Sequence, residues 1–179
     1  MFFFLRLLRW MFTLAVFLAA AIGATLWLFV WPSSDEPRRA AAVVVLEGGD
    51  GERLTDALVL MRLDVAPTLV LYGARDDGPA RAGRLCRGDA AFAVLCPPAR
   101  PDARAEARAL AGLASRRGWR SLVVVTSTYD VARARLLVGS CFPGRTDVVG
   151  AKPPAESWAR AIPGEWKGYL KALLAERGC

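Results

Sequence analysis

The chain has 179 residues, about one ordinary domain, with 24 basic and 17 acidic side chains for a net charge of +7. It contains no histidine, which excludes Ser-His-Asp and Cys-His nucleophiles, His-ligated zinc and haem-ligating histidine. Apolar residues make up 54%, which argues against disorder and for a membrane segment.

That segment is residues 1–31. Beyond Arg6 and Arg9, Trp10 to Trp31 carries no charge, and a helix over that stretch crosses a bilayer core of about 30 Å. Trp10 marks one edge and Trp27 with Trp31 the other, the positions of interfacial aromatics. A cleaved signal peptide would have a shorter core followed by small residues, whereas here bulky Phe29-Val30-Trp31 closes the run, so an uncleaved anchor is expected. Arg6, Arg9 and the terminal amine outweigh Arg38 and Arg39, which predicts a cytoplasmic amino end and an extracytoplasmic domain.

Residues 32–41 read as a short polar linker, and 42–179 as one α/β domain. Ala42–Leu46 is an apolar run of the kind covered on both faces. Helix 52–63 aligns Leu54, Ala57, Leu58 and Met61 on one face. Strand 68–72 closes at Gly73, a short helix spans 79–87, and Ala91–Leu95 is a third strand. Residues 102–117 are helical, with Arg116 and Arg117 opposing the dipole at the end. Ser121–Val125 is the fourth strand, 129–139 a helix and 146–149 a fifth strand. A final helix spans 155–177, with an interruption expected near Pro163-Gly164. Arg75-Asp76-Asp77-Gly78 reads as a plain turn.

Alternating strands and helices predict a Rossmann-like three-layer sandwich with a mostly parallel sheet. Ligands of such sheets lie beyond the carboxyl ends of the strands at the switch point, which singles out the loops Glu47–Gly51 and Thr126–Asp130. Cys86, Cys96, Cys141 and Cys179 all lie in the domain, without CxxC spacing. In an oxidising compartment they form two disulfides. Three connectivities are open, and Cys86–Cys96 with Cys141–Cys179 is preferred.

Over roughly residues 42–178 the chain resembles the YdcF-like family, which includes SanA- and ElyC-type envelope proteins and is catalogued as a domain of unknown function. The first match is the strand ending in Gly48-Gly49, followed by Arg53 and Ala57. Leu69–Gly73 is the second, and Val123–Ser127 followed by Tyr129, Arg133 and Ala134 the third. Glu165-Trp166-Lys167 resembles the glutamate that opens the family's last helix. The chain departs from the family at Asp130, where members usually carry His, and at Ala103, where they carry Thr before Arg104 and Glu106-Ala107. An aspartate, with an ordinary pKa near 3.9 against about 6.5 for His, acts as a base at neutral pH but donates a proton only if burial raises it strongly.

The resemblance implies an envelope context, and the basic, arginine-containing site an anion, which together suggest a protein that binds or processes a phosphorylated envelope metabolite such as a polyprenyl-phosphate carrier or cell-wall precursor. Gly48 and Gly49 offer backbone donors to an anion, though the loop is neither Walker A nor GxGxxG and also suits an ordinary tight turn. Thr126 and Ser127 offer hydroxyls to phosphate oxygens, or cap the helix that follows. Arg53 and Arg133 supply permanent cations. Asp130 and Glu165 are the candidate catalytic carboxylates; alternatively they neutralise and orient the arginines. Gly49, Arg53, Thr126, Ser127, Asp130 and Arg133 are expected within about 10–12 Å, one small-ligand pocket.

Two other functions stay open: a non-catalytic anion-binding or assembly module with a degenerate site, and a nucleotide or S-adenosylmethionine binder, against which the missing glycine fingerprint weighs. No cofactor and no metal site is specified. Residues 40–179 carry a net charge of +5, suited to anionic surfaces, but Arg116-Arg117 to Arg120 lacks interleaved aromatics and argues against nucleic acid. Arg135 is expected to be a solvated helical arginine. Trp158, Trp166 and Tyr169 are expected to pack helices or to line a groove near the membrane.

Overall fold

The computed structural model describes residues 2–46, 51–74, 80–174 and 178–179. In chain order the elements are α1 (Phe2–Thr25), a π-helical turn (Leu26–Val30), β1 (Ala42–Val45), α2 (Gly51–Arg62), β2 (Thr68–Leu71), α3 (Ala80–Cys86), β3 (Ala93–Leu95), α4 (Ala103–Arg117), β4 (Ser121–Ser127), a 3₁₀ turn (Thr128–Asp130), α5 (Val131–Cys141), β5 (Arg145–Ala151) and α6 (Ala155–Leu174).

All five strands are parallel, in the order β3-β2-β1-β4-β5. Strand order reverses beside β1, so the switch point lies between β1 and β4. Strand alternation divides the apolar side chains into two layers. Val43, Val45, Leu69, Leu71, Val123 and Val125 face α2, whose Leu54, Ala57, Leu58 and Met61 are all buried. Val44, Val70, Leu122 and Val124 face α4 and α5 through Leu110, Ala134 and Val138. The expected Rossmann-like three-layer sandwich is therefore present.

Local chemistry explains the element ends. The Asp102 carboxylate caps α4 by accepting from Ala105 N at 2.7 Å, and Gly118 at φ 66° ends it in the left-handed conformation favoured by glycine. β4 runs two residues beyond the expected Val125, because β5 also extends and pairs Ser127 with Ala151. The helix expected from residue 129 opens with a 3₁₀ turn. α6 is not interrupted at Pro163-Gly164: the helix continues through Pro163. Proline forfeits one helical hydrogen bond, but each side of it is anchored, Trp158 edge-on to Tyr129 and Trp166 edge-on to Phe29.

The cysteines pair as preferred, Cys86 with Cys96 and Cys141 with Cys179, at Cα separations of 5.9 and 4.6 Å. Phe4–Val30 is a 27-residue stretch long and apolar enough to cross a membrane, as an anchor or a signal sequence is. Residues 34–41 are stitched along the edge of β5 and the start of β4. Asp35 N donates to Val148 O (2.9 Å), Val148 N donates back to Asp35 Oδ2 (2.8 Å), and Ala41 N donates to Ser121 O (3.0 Å). Arg38 pairs with Asp147 at 2.8 Å. The segment covers an edge strand that would otherwise present unpaired backbone groups. Arg135, expected to be a solvated helical arginine, is 40% exposed and also donates to Ser33 O and pairs with Asp35 at 3.0 Å.

Candidate functional site at the carboxyl edge of the sheet

β4 ends in two polar residues that are fully buried, Thr126 and Ser127. A buried hydroxyl without a partner is costly, and each has one. Because successive strand residues point to opposite faces, the two hydroxyls enter separate networks.

Ser127 lies on the α2 side. Its Oγ accepts from Arg53 Nε at 2.8 Å and donates to Glu52 Oε1 at 3.4 Å. Arg53 Nη1 also donates to the Leu46 carbonyl at 3.1 Å. Arg53 thus bridges the ends of β1 and β4 across the switch point. Burial, then the neighbouring Glu52, raises the pKa of Asp56 above the usual carboxylate value.

Thr126 lies on the α5 and α6 side. Its Oγ1 donates to Asp130 Oδ2 at 2.8 Å, and Arg133 Nε donates to Asp130 Oδ1 at 2.5 Å. The same Nε lies 3.3 Å from Glu165 Oε2. One guanidinium therefore sits between two carboxylates from different helices, with Asp130 5% exposed. Arg133 reaches this place because residue 168 is glycine: a Cβ there would lie 3.1 Å from Arg133 Cδ and Nη1. Behind it, a cavity of about 60 Å³ is lined by Arg104, Arg133, Gly168 and Lys171 beside Asp102 at the head of α4. That is room for about two water molecules or one tetrahedral oxyanion.

The 3₁₀ turn is pressed onto β5. Thr128 Oγ1 donates to Ala151 O at 2.9 Å, and a Cβ on Gly150 would lie 3.0 Å from Thr128 Cα and 2.9 Å from Val131 Cγ2.

Of the expected site residues, Thr126, Asp130, Arg133 and Glu165 form one connected group, and Arg53 with Ser127 a second. Gly48 and Gly49 lie outside the described residues. Sequence reasoning missed Glu52 and Gly168; Trp166 and Tyr169, expected to pack helices or to line a groove near the membrane, pack on Phe29 and so give the site its neighbour. The π-helical turn 26–30 packs against the 3₁₀ turn 128–130. Phe29 is wholly buried, edge-on to Trp166 at 5.2 Å and to Tyr169 at 6.2 Å, and Trp166 Nε1 donates to Thr25 Oγ1 at 3.1 Å. Trp166 directly follows Glu165. The signal in the sequence is the pair Trp166 and Tyr169 at helical spacing, together with an apolar segment closed by Phe29-Val30-Trp31.

Among the described residues, no group of three or more Cys, Asp or Glu side chains is placed to hold a metal ion. Comparisons with protein-family models, with curated proteins and with solved structures find no match.

Proposed function

We propose that the protein is a membrane-anchored envelope protein of YdcF-like type whose sheet edge binds a phosphorylated lipid carrier or cell-wall precursor at the bilayer surface. The observation that carries this reading is the seating of the end of α1 against the residues that flank Asp130 and Glu165. At about 1.5 Å per residue the 27-residue apolar stretch is about 40 Å long, some 10 Å more than a bilayer core. With the excess at the amino end, where Arg6 and Arg9 lie, and Trp27 and Trp31 as interfacial aromatics, its last turn reaches headgroup level, where it meets α6. Burial of Phe29 in the domain supports a retained anchor over a cleaved signal sequence. Two disulfides support an extracytoplasmic domain, with the amino end in the cytoplasm.

Arg53 and Arg133 supply charge for the phosphate, and the Arg104–Arg133–Lys171 cavity supplies a space of phosphoryl size. The occupied state of Asp130 favours binding over turnover. Both its oxygens already accept hydrogen bonds, from Arg133 and from Thr126, so it orients a cation rather than facing a substrate. This is the non-catalytic form of the reading, with Asp130 and Glu165 as positioning groups.

Calorimetry of the full chain in detergent, with polyprenyl phosphate, the matching polyprenyl alcohol, nucleotide phosphates and S-adenosylmethionine, tests it. Salt-sensitive binding of the polyprenyl phosphate and not of the alcohol is expected. Preference for a nucleotide or for S-adenosylmethionine, or no binding at all, overturns it. A carboxy-terminal alkaline phosphatase fusion tests the orientation, and activity is the expected result.

A further inference from the structure

On the other side of α5 from Arg133 lies a cavity of about 200 Å³ that belongs to neither network. Trp27 and Leu28, in the last turn of the apolar helix, form one wall; Ala132 and Leu136 of α5 and Tyr169 of α6 form the others. Among the described residues that line it, the one charged group is Arg135. We propose that this slot is a binding site for a single anionic membrane phospholipid, with part of one acyl chain between Trp27, Leu136 and Tyr169 and the headgroup phosphate on Arg135.

The walls specify the occupant. With α1 in a bilayer, residues 27 and 28 stand at the border between hydrocarbon and headgroups, so the mouth of the slot opens where lipids are the solvent. The volume is below the about 300 Å³ at which pockets enclose a whole ligand. It therefore takes a segment of a longer molecule and leaves the rest in the leaflet. The Arg135 side chain is 40% exposed and uses only Nη2 for Ser33 O and Asp35. Its Nε and Nη1 donors have no partner among the described residues. A planar guanidinium with open N–H groups at this level matches a phosphodiester.

The site rests on α1 being retained, as proposed above, but not on the anion site at Arg53 and Arg133. The test is native mass spectrometry of the full chain released from nanodiscs of equal parts phosphatidylglycerol and phosphatidylcholine, with the intact mass read in the same spectrum. One phosphatidylglycerol per chain is expected to survive release. Arg135→Gln is expected to lower its retention about tenfold, and Ala132→Trp, which fills the slot, to remove both lipids. Arg133→Ala is expected to leave retention unchanged while it weakens phosphate-ligand binding in calorimetry. No retained lipid, equal retention by Arg135→Gln, or retention of detergent alone overturns the proposal. An intact mass that lacks residues 1–31 overturns the anchor reading and the slot with it, whereas full mass without lipid overturns the slot alone.

Discussion

Thr126 and Ser127 are adjacent in β4, and their hydroxyls serve opposite faces of the sheet. Thr126 donates to Asp130 and, through it, holds Arg133 beside α6; Ser127 accepts from Arg53 on α2. The two cations expected to share a ligand are mounted on the two sides of one strand end. A ligand that contacts both has to sit over the tip of β4, whereas one in the Arg104–Arg133–Lys171 cavity engages only the α5 side.

Replacing each arginine separates these geometries. Arg133→Ala is expected to weaken phosphate-ligand binding by about 1.5–3 kcal/mol, the range for a lost charged hydrogen bond, or about 10- to 150-fold. Arg53→Ala does the same only if the ligand spans the tip of β4. Isothermal titration of both variants reads the difference.

In the proposed non-catalytic reading, Asp130 serves the fold through its hydrogen bonds to Thr126 and Arg133. Its pair with Arg133 is largely buried, and breaking such a pair from one side leaves an uncompensated charge. Asp130→Ala is expected to cost about 3 kcal/mol in denaturant unfolding. Asp130→Asn keeps an acceptor for Thr126 or Arg133 and costs less. Wild-type stability in Asp130→Ala would show that the pair is idle.

Gly168→Ala distinguishes stability from binding. The new methyl meets Arg133 at 3.1 Å, and the flexible side chain gives way. Alanine gains up to about 1 kcal/mol of helix propensity over glycine. Thermal stability is therefore expected to hold while anion affinity falls several-fold, because Arg133 Nε keeps its pair with Asp130 while Nη1, which meets the new methyl, is turned from the cavity beside residue 168.

The Arg38–Asp147 pair makes the stitched segment acid-sensitive. Burial alone would raise the pKa of Asp147, but hydrogen bonds from Arg38 and the nearby charge of Arg145 outweigh it and hold the carboxyl below its usual value. A depressed folded pKa gives stability that is present above the unfolded value near 3.9 and lost as pH falls through the folded one. The stability difference between wild type and Asp147→Asn is expected to be steady at neutral pH and to shrink below about pH 4.

Tyr72 acts at the opposite end of the scale. Burial, then the charge of Glu106, pushes its phenol up to about 12. An unfolded tyrosine ionises near 10, so the folded state loses stability as pH rises between about 10 and 12. Tyr72→Phe is expected to flatten that alkaline decline in pH-dependent thermal unfolding.

Elements fixed by apolar period were legible in the sequence. Val43–Val45 and Val123–Val125 are β-branched runs with no polar interruption, and Leu54, Ala57, Leu58 and Met61 share a helical face, so strand and helix identity followed from the residues alone. Thr126 and Ser127 read as loop because a polar pair ends an apolar run. Only the length of β5 makes them strand and sends them to opposite faces. Pro163 suggested a break, which tertiary contacts at Trp158 and Trp166 override. The stitching of residues 34–41 rests on backbone hydrogen bonds, on Arg38 with Asp147 and on Asp35 with Val148 N and Arg135, partners a hundred or more residues apart, for which no local pattern exists. Of the site, the residue types were legible and their division between two faces was not.

The docking of Phe29 on Trp166 and Tyr169, together with the stitched residues 34–41, has a consequence for how the protein meets its ligand. A domain on a loose tether sweeps a volume and collects molecules from solution. With α1 as the anchor proposed above, the leash has no slack: the domain stands on the end of that helix at one height and one angle. With α1 in a bilayer, encounters at the sheet edge become a search in two dimensions. Whatever diffuses laterally within the leaflet arrives already at the level of Arg133, and a ligand free in solution gains no such advantage.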